Sequence, residues 1–183
     1  MKIEKIKTKN IIDMGMTFSA MSRVFEKGST KEIKDNLQGL FLGDFLDLST
    51  EDSYKEKHET FCQWLTNNIK TARGDTRNAS WGHAAKVIDV VLKVCIYYCE
   101  LPSKEESRKI LPELNGAIDT SILEYLKKEY NNQKISKITS LKEINREKYE
   151  ILQEIIRKDI KQNHDVDIYP VQWDDKKWRE YNR

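Results

Sequence analysis

The most apolar stretch of the chain runs from Ala84 to Cys99. Val87, Ile88, Val91, Leu92, Val94, Cys95 and Ile96 point around most of a helical circumference. A helix apolar nearly all round is covered by its neighbours, so residues of about 81–100 are expected to form a buried central helix. Ser80 stands at its N-cap and Pro102 just beyond its end. Elsewhere apolar positions recur every three or four residues, the period of amphipathic helices. Phe18, Met21 and Phe25 predict a helix over 17–27, stopped by Gly28. Ile33, Leu37, Leu40 and Phe41 line a second, behind a Ser29/Glu32 capping-box spacing, with a break near Gly43. Tyr54, His58, Phe61, Leu65 and Ile69 line a long third helix, capped by Ser49 or Thr50, running to about Ala72 and ended by Gly74. Ser103 and Glu106 open a short helix that ends at Pro112. Residues Asp119 to Ser121 cap another, through Tyr130. Asn145 caps a long one to about Gln162, with Tyr149, Leu152, Ile156 and Ile160 inward. A brief extended piece is expected at 135–138.

The fold these elements predict is all-α: a single-domain bundle of about six to eight helices around the buried central one. The domain spans 1–183, with an arm at 1–13, where Lys alternates with Ile, and a docking tail at 164–183 carrying Trp173 and Trp178. Only three prolines and seven glycines interrupt the chain, which suits long helices. The 32 basic and 30 acidic residues nearly cancel, so no domain-wide field for nucleic acid is present. No apolar run follows the lysines of 2–9, so no signal peptide is expected. No stretch reaches the ~18–20 apolar residues of a membrane span. Three cysteines suit reduced thiols in a cytoplasmic protein better than a disulfide framework.

Chemistry concentrates at the start of the central helix. His83, Lys86, Asp89, Lys93 and Tyr97 follow one another at steps of three or four and share a face. This line is either a solvent-facing stripe, with Asp89 and Lys93 as an i,i+4 pair, or a polar binding groove. Just before it stands Arg77-Asn78-Ala79-Ser80-Trp81-Gly82-His83. This segment resembles the R-x(4–6)-H motif of HEPN ribonucleases, which are small all-helical proteins. The resemblance implies metal-independent RNA cleavage at a homodimer interface, in a toxin or bacterial defence setting. It implies His83 as general base for the ribose 2′-hydroxyl, Arg77 holding the phosphate, and Asn78 orienting the site.

A second resemblance covers more of the chain. Gly82-His83-Ala84-Ala85-Lys86, then Ile118-Asp119, Pro170 and Trp178 are similar to a set of uncharacterised bacterial helical proteins with a G-x-A-x-K helix start. No activity follows from it.

His58 and Cys62 stand four apart on one helix, and Cys95 and Cys99 four apart on the next. Antiparallel packing would bring the pairs to similar heights as a Cys₃His zinc site; the competing reading is that buried thiols act as small apolar groups, and no metal is expected. No phosphate-cradling glycine loop or catalytic triad motif occurs, and no cofactor is expected. The first expectation for function is a non-catalytic helical protein that interacts with a protein or a nucleic acid such as RNA, through the polar stripe and the 74–83 loop. The alternative is the HEPN-like endoribonuclease.

Overall fold

A computed structural model of the chain describes residues 3–41, 46–72, 77–130, 132–163 and 168–181. Among them are nine α-helices and no β-strand: α1 (Ile3–Phe18), α2 (Ser29–Phe41), α3 (Glu51–Asn68), α4 (Trp81–Leu92), α5 (Lys104–Ile110), α6 (Thr120–Glu129), α7 (Gln133–Ser136), α8 (Arg146–Gln162) and α9 (Pro170–Tyr181). Five starts obey one local rule. Thr50, Ser80, Ser103, Asp119 and Asn145 each accept, on a side-chain oxygen, the backbone N–H three residues on. Each cap satisfies a donor the helix itself leaves orphaned, for about 1 kcal/mol.

The all-α bundle of the sequence pattern is the observed fold. Helix α4 is its axis, packed by α1, α3 and α8. Of its residues, Ala84, Val87, Ile88 and Val91 are fully buried. Beyond Leu92 the central helix widens into a π-helical segment, Lys93–Tyr98, with Cys99 N–H donating to the Val94 carbonyl at 3.0 Å.

Two glycines permit the closest approaches. A Cβ on Gly15 would lie 2.8 Å from the Val91 Cα, so α1 crosses α4 backbone to backbone. A Cβ on Gly82 would lie 2.5 Å from the Leu141 carbonyl oxygen, and the Gly82 N–H donates to the Ile144 carbonyl at 3.0 Å. Gly82 therefore lets the turn before α8 sit on the first turn of α4.

Several local expectations differ from what is observed. Residues 3–13 are no loose arm: they belong to α1, whose Ile11 and Ile12 are buried. The helix expected over 17–27 is replaced by the end of α1 and one 3₁₀ turn, Met21–Arg23, because Ala20 takes a left-handed conformation (φ 57°) and turns the chain. Phe18 is then left outside while Phe25 stays in the core. Helix α3 stops at Asn68, short of Ala72. Ile69 is already extended, and residues 69–72 exchange backbone hydrogen bonds with the segments at 24–26 and 77–79. The extended piece expected at 135–138 is instead the short helix α7. The break near Gly43 and the stop at Gly74 lie outside the described residues. So does the first part of the tail, 164–167. Its later part forms α9, which buries Trp173 completely and donates the indole N–H to Asp159 Oδ2 at 2.7 Å.

Candidate functional site

The loop at 77–83 separates its three expected functional residues. Arg77 and Asn78 are exposed, and their backbone continues the extended pairing with residues 70–71. His83 is only 4% exposed. It occupies the third position of α4 and closes a capping box with Ser80. The Ser80 N–H donates to His83 Nδ1 at 3.2 Å, while the His83 N–H donates to Ser80 Oγ at 3.3 Å. A backbone N–H can only donate, so Nδ1 carries the lone pair and the ring proton sits on Nε2. No ring lone pair remains to take a proton from a ribose hydroxyl. Burial, with Lys142 and Lys86 nearby, pushes the His83 pKa down to about 4. His83 is thus a neutral helix cap, and the geometry expected of a general base facing Arg77 in one cleft is not formed.

The polar stripe divides in the same way. Asp89 is buried and does not pair with Lys93. It accepts from His58 Nε2 at 3.0 Å on Oδ1 and from the Tyr149 hydroxyl at 2.8 Å on Oδ2. Three helices, α3, α4 and α8, meet through this cluster. Tyr149 also stacks on the His58 ring, with centroids 5.3 Å apart. Lys93 turns to the other side, onto the buried Asp174 of α9, which also accepts the Ala117 N–H. Asp174 is held at about 7, above the usual carboxylate range, by burial that Lys93 only partly offsets. Lys86 is half-buried, its pKa lowered by burial. Tyr97 is half-buried against Tyr98. Asp89 and Lys93 hold helices together, and of the stripe Lys86 and Lys93 line one cavity.

The row Cys62–His58–Asp89 has the residue types of a nucleophilic triad. His58 Nδ1 lies 3.7 Å from Cys62 Sγ. Its geometry does not activate the sulfur. Cys62 is fully buried, and desolvation raises its thiol pKa despite His58. Burial opposes charge on His58, yet the neighbouring Cys62 and Asp89 raise its pKa to about 10. The imidazole favours its protonated form beside Asp89. Above it lies a cavity of about 290 Å³ walled by Tyr54, Trp81, Tyr149, Arg146 and Arg157. Its arginines are already engaged, Arg146 with Glu59 and Glu150 and Arg157 with Asn115.

The four candidate zinc ligands do not converge: among the described residues no three His, Cys, Asp or Glu side chains form a group suited to a metal. Cys62, Cys95 and Cys99 are free thiols. No protein-family model matches this chain, and neither a curated protein nor a solved structure shows significant similarity to it.

An apolar line on the surface lies outside all of the expected sites. Ile3, Ile6, Met14 and Phe18 are exposed along the outer side of α1, with the exposed Lys7, Asn10 and Thr17 among them, opposite the buried Ile12 and Met16. The line leads to a second cavity, of about 330 Å³, lined by the aromatic Phe18, Tyr98 and Trp178 and by the charged Lys86, Lys93 and Asp174. All three aromatic residues, its rim, are exposed. The signal is present in the sequence as a second set of three- and four-residue steps in 3–18. The helix expected over 17–27 assigns Phe18 to the core and so hides it.

Proposed function

We propose that this chain is a non-catalytic binding protein whose partner is another protein, met through the outer face of α1 and the aromatic rim at Phe18, Tyr98 and Trp178. The observation that carries the reading is the exposed apolar line Ile3–Ile6–Met14–Phe18 and its continuation into that rim. Contiguous exposed apolar surface marks interaction sites, because leaving it in water costs about 25 cal/mol per Å². The aliphatic side chains in this line favour a protein over RNA, since phosphates and base edges are recognised by charge, hydrogen bonds and stacking. The His83 cap argues against the ribonuclease alternative. No helix among the described residues is long and apolar enough to cross a membrane. With its free thiols, the chain suits a reducing, cytoplasmic setting.

The test places a photo-crosslinking amino acid at position 18, 178 or 134 of the full chain in cells. Lys134, on α7, is the exposed control. One discrete protein adduct at 18 and 178, absent at 134, is the expected result; equal labelling at all three would overturn the reading. In parallel, RNA cleavage that is present in the wild type and lost in His83→Ala would restore the enzyme.

A further inference from the structure

We infer that the cavity between α1, α4, α6 and α9 binds a small carboxylic acid with an apolar body, its carboxylate held by Lys86. The inference goes beyond the protein-binding reading and needs no partner at the rim.

Position gives the first support. Lys86, Val90 and Val94 line the cavity from one face of the central helix, Phe18 from the end of α1, Ile122 from α6 and Trp178 from α9. Its volume of about 330 Å³ falls toward the lower end of the ~300–1,000 Å³ that small-molecule sites occupy. A small ligand therefore fills it.

The charges inside are unevenly matched. Each aspartate on the lining already has a donor. Asp174 accepts from Lys93 and from the Ala117 N–H, Asp175 from the Tyr98 hydroxyl at 2.6 Å, and Asp119 from the Ile122 N–H at 2.9 Å. Lys86 makes no hydrogen bond or ion pair among the described residues, and Asp119 acts on its charge only from beyond ion-pair distance. The side chain is half-buried, and burial lowers its pKa. A cation drawn out of water without a counter-ion is costly, and an anion entering the cavity removes that cost. By contrast, the arginines of the cavity over His58 are already bound to Glu59, Glu150 and Asn115.

The same lining sets the ligand's chemistry. Arg179, exposed on α9, adds a positive charge, but the three aspartates oppose a dianion such as a phosphate. One ammonium matches one carboxylate. The remaining wall is apolar, with Val90 and Val94 behind the rings of Phe18, Tyr98 and Trp178, so the body of the acid is apolar too.

Calorimetric titration of the purified full chain with phenylbutyrate tests the inference. Saturable one-to-one binding is expected. Phenylbutyramide, the same shape without the charge, should bind about tenfold or more weakly, the factor a charge-assisted hydrogen bond supplies. Lys86→Met should lose a similar factor for the acid and none for the amide. Its melting temperature should hold or rise, because an apolar side chain replaces an uncompensated cation. Lys86→Arg should keep the preference for the acid. No binding of the acid at millimolar concentration would overturn the site. Equal affinity for acid and amide would overturn the role of charge, and that comparison is made on the wild type, whatever the variants do. Unchanged acid binding in a folded Lys86→Met would overturn Lys86 as its anchor. The titration contains no second protein, so it stands or falls apart from the crosslinking result.

Discussion

His58 and His83 are buried to the same degree, each 4% exposed, and carry opposite protonation. His58 is pushed up to about 10 and His83 down to about 4. Burial alone disfavours charge on both. Their partners decide the rest. His58 donates to the Asp89 carboxylate between the rings of Tyr54 and Tyr149. His83 accepts from the Ser80 backbone N–H and has the lysines Lys86 and Lys142 as its charged neighbours. One histidine is half of a buried ion pair that joins three helices. The other is half of a capping box that starts one. A buried histidine is therefore defined by what its nitrogens touch.

The strongest way to break the contrast is to remove its anion. Asp89→Ala strands the His58 cation and the Tyr149 hydroxyl in the core, and should cost about 3–5 kcal/mol in urea denaturation. Histidine NMR should then show the His58 pKa falling below its ordinary 6.5, as burial takes over. A loss under about 1 kcal/mol would mean that Asp89 does not hold His58. The next largest effect belongs to the other histidine. His83→Ala leaves the Ser80 N–H without an acceptor and should cost about 1–2 kcal/mol in thermal unfolding, with the far-UV spectrum kept. Tyr149→Phe should cost less, about 0.5–1.5 kcal/mol, and leave His58 charged at pH 8, because the carboxylate remains. NMR finding it neutral there would make the hydroxyl, rather than Asp89, the source of the high pKa.

A separate readout of the contrast is pH. The His83 pKa is lowered on folding, so the folded state disfavours its proton. Its contribution is intact above the unfolded value near 6.5 and is lost as pH falls toward 4. His58 has the opposite sign: its contribution is intact below 6.5 and is lost as pH rises through about 10. Comparing wild type with His83→Gln between pH 6.5 and 4 isolates the first term, and the wild type should lose more stability across that window. Parallel curves would show that His83 titrates normally.

The local grammar of the chain is legible in the order of its residues. The caps at Thr50, Ser80, Asp119 and Asn145 lie where short polar side chains precede apolar periods. They are readable because a cap acts over three residues. The buried central helix is readable for a similar reason, since its own apolar circumference demands cover. The polar stripe is not readable in this way. Helical spacing shows which residues share a face and says nothing of what lies across from them. Asp89 and Lys93, four apart, look like partners. The π-helical segment begins at Lys93, and the two side chains go to different helices. A Gln133–Ser136 helix in place of an extended piece is the same lesson on a smaller scale: Asn132 caps it with its side chain on the Lys134 N–H, and Ile135 is drawn into the core.

Periodicity and capping are properties of neighbouring residues. They suffice to make this chain an all-helical bundle, to set where most of its helices start, and to put one helix at its centre. The roles of the polar residues come instead from packing between distant segments. Asp89 meets a histidine 31 positions before it and a tyrosine 60 after it. Lys93 meets an aspartate 81 positions on. Such pairings are set by how helices cross, through contacts as close as Gly15 on Val91 and Gly82 on Leu141. The same packing buries His83 and leaves Phe18 outside, moving the functional question from a catalytic loop to the outer face of the first helix.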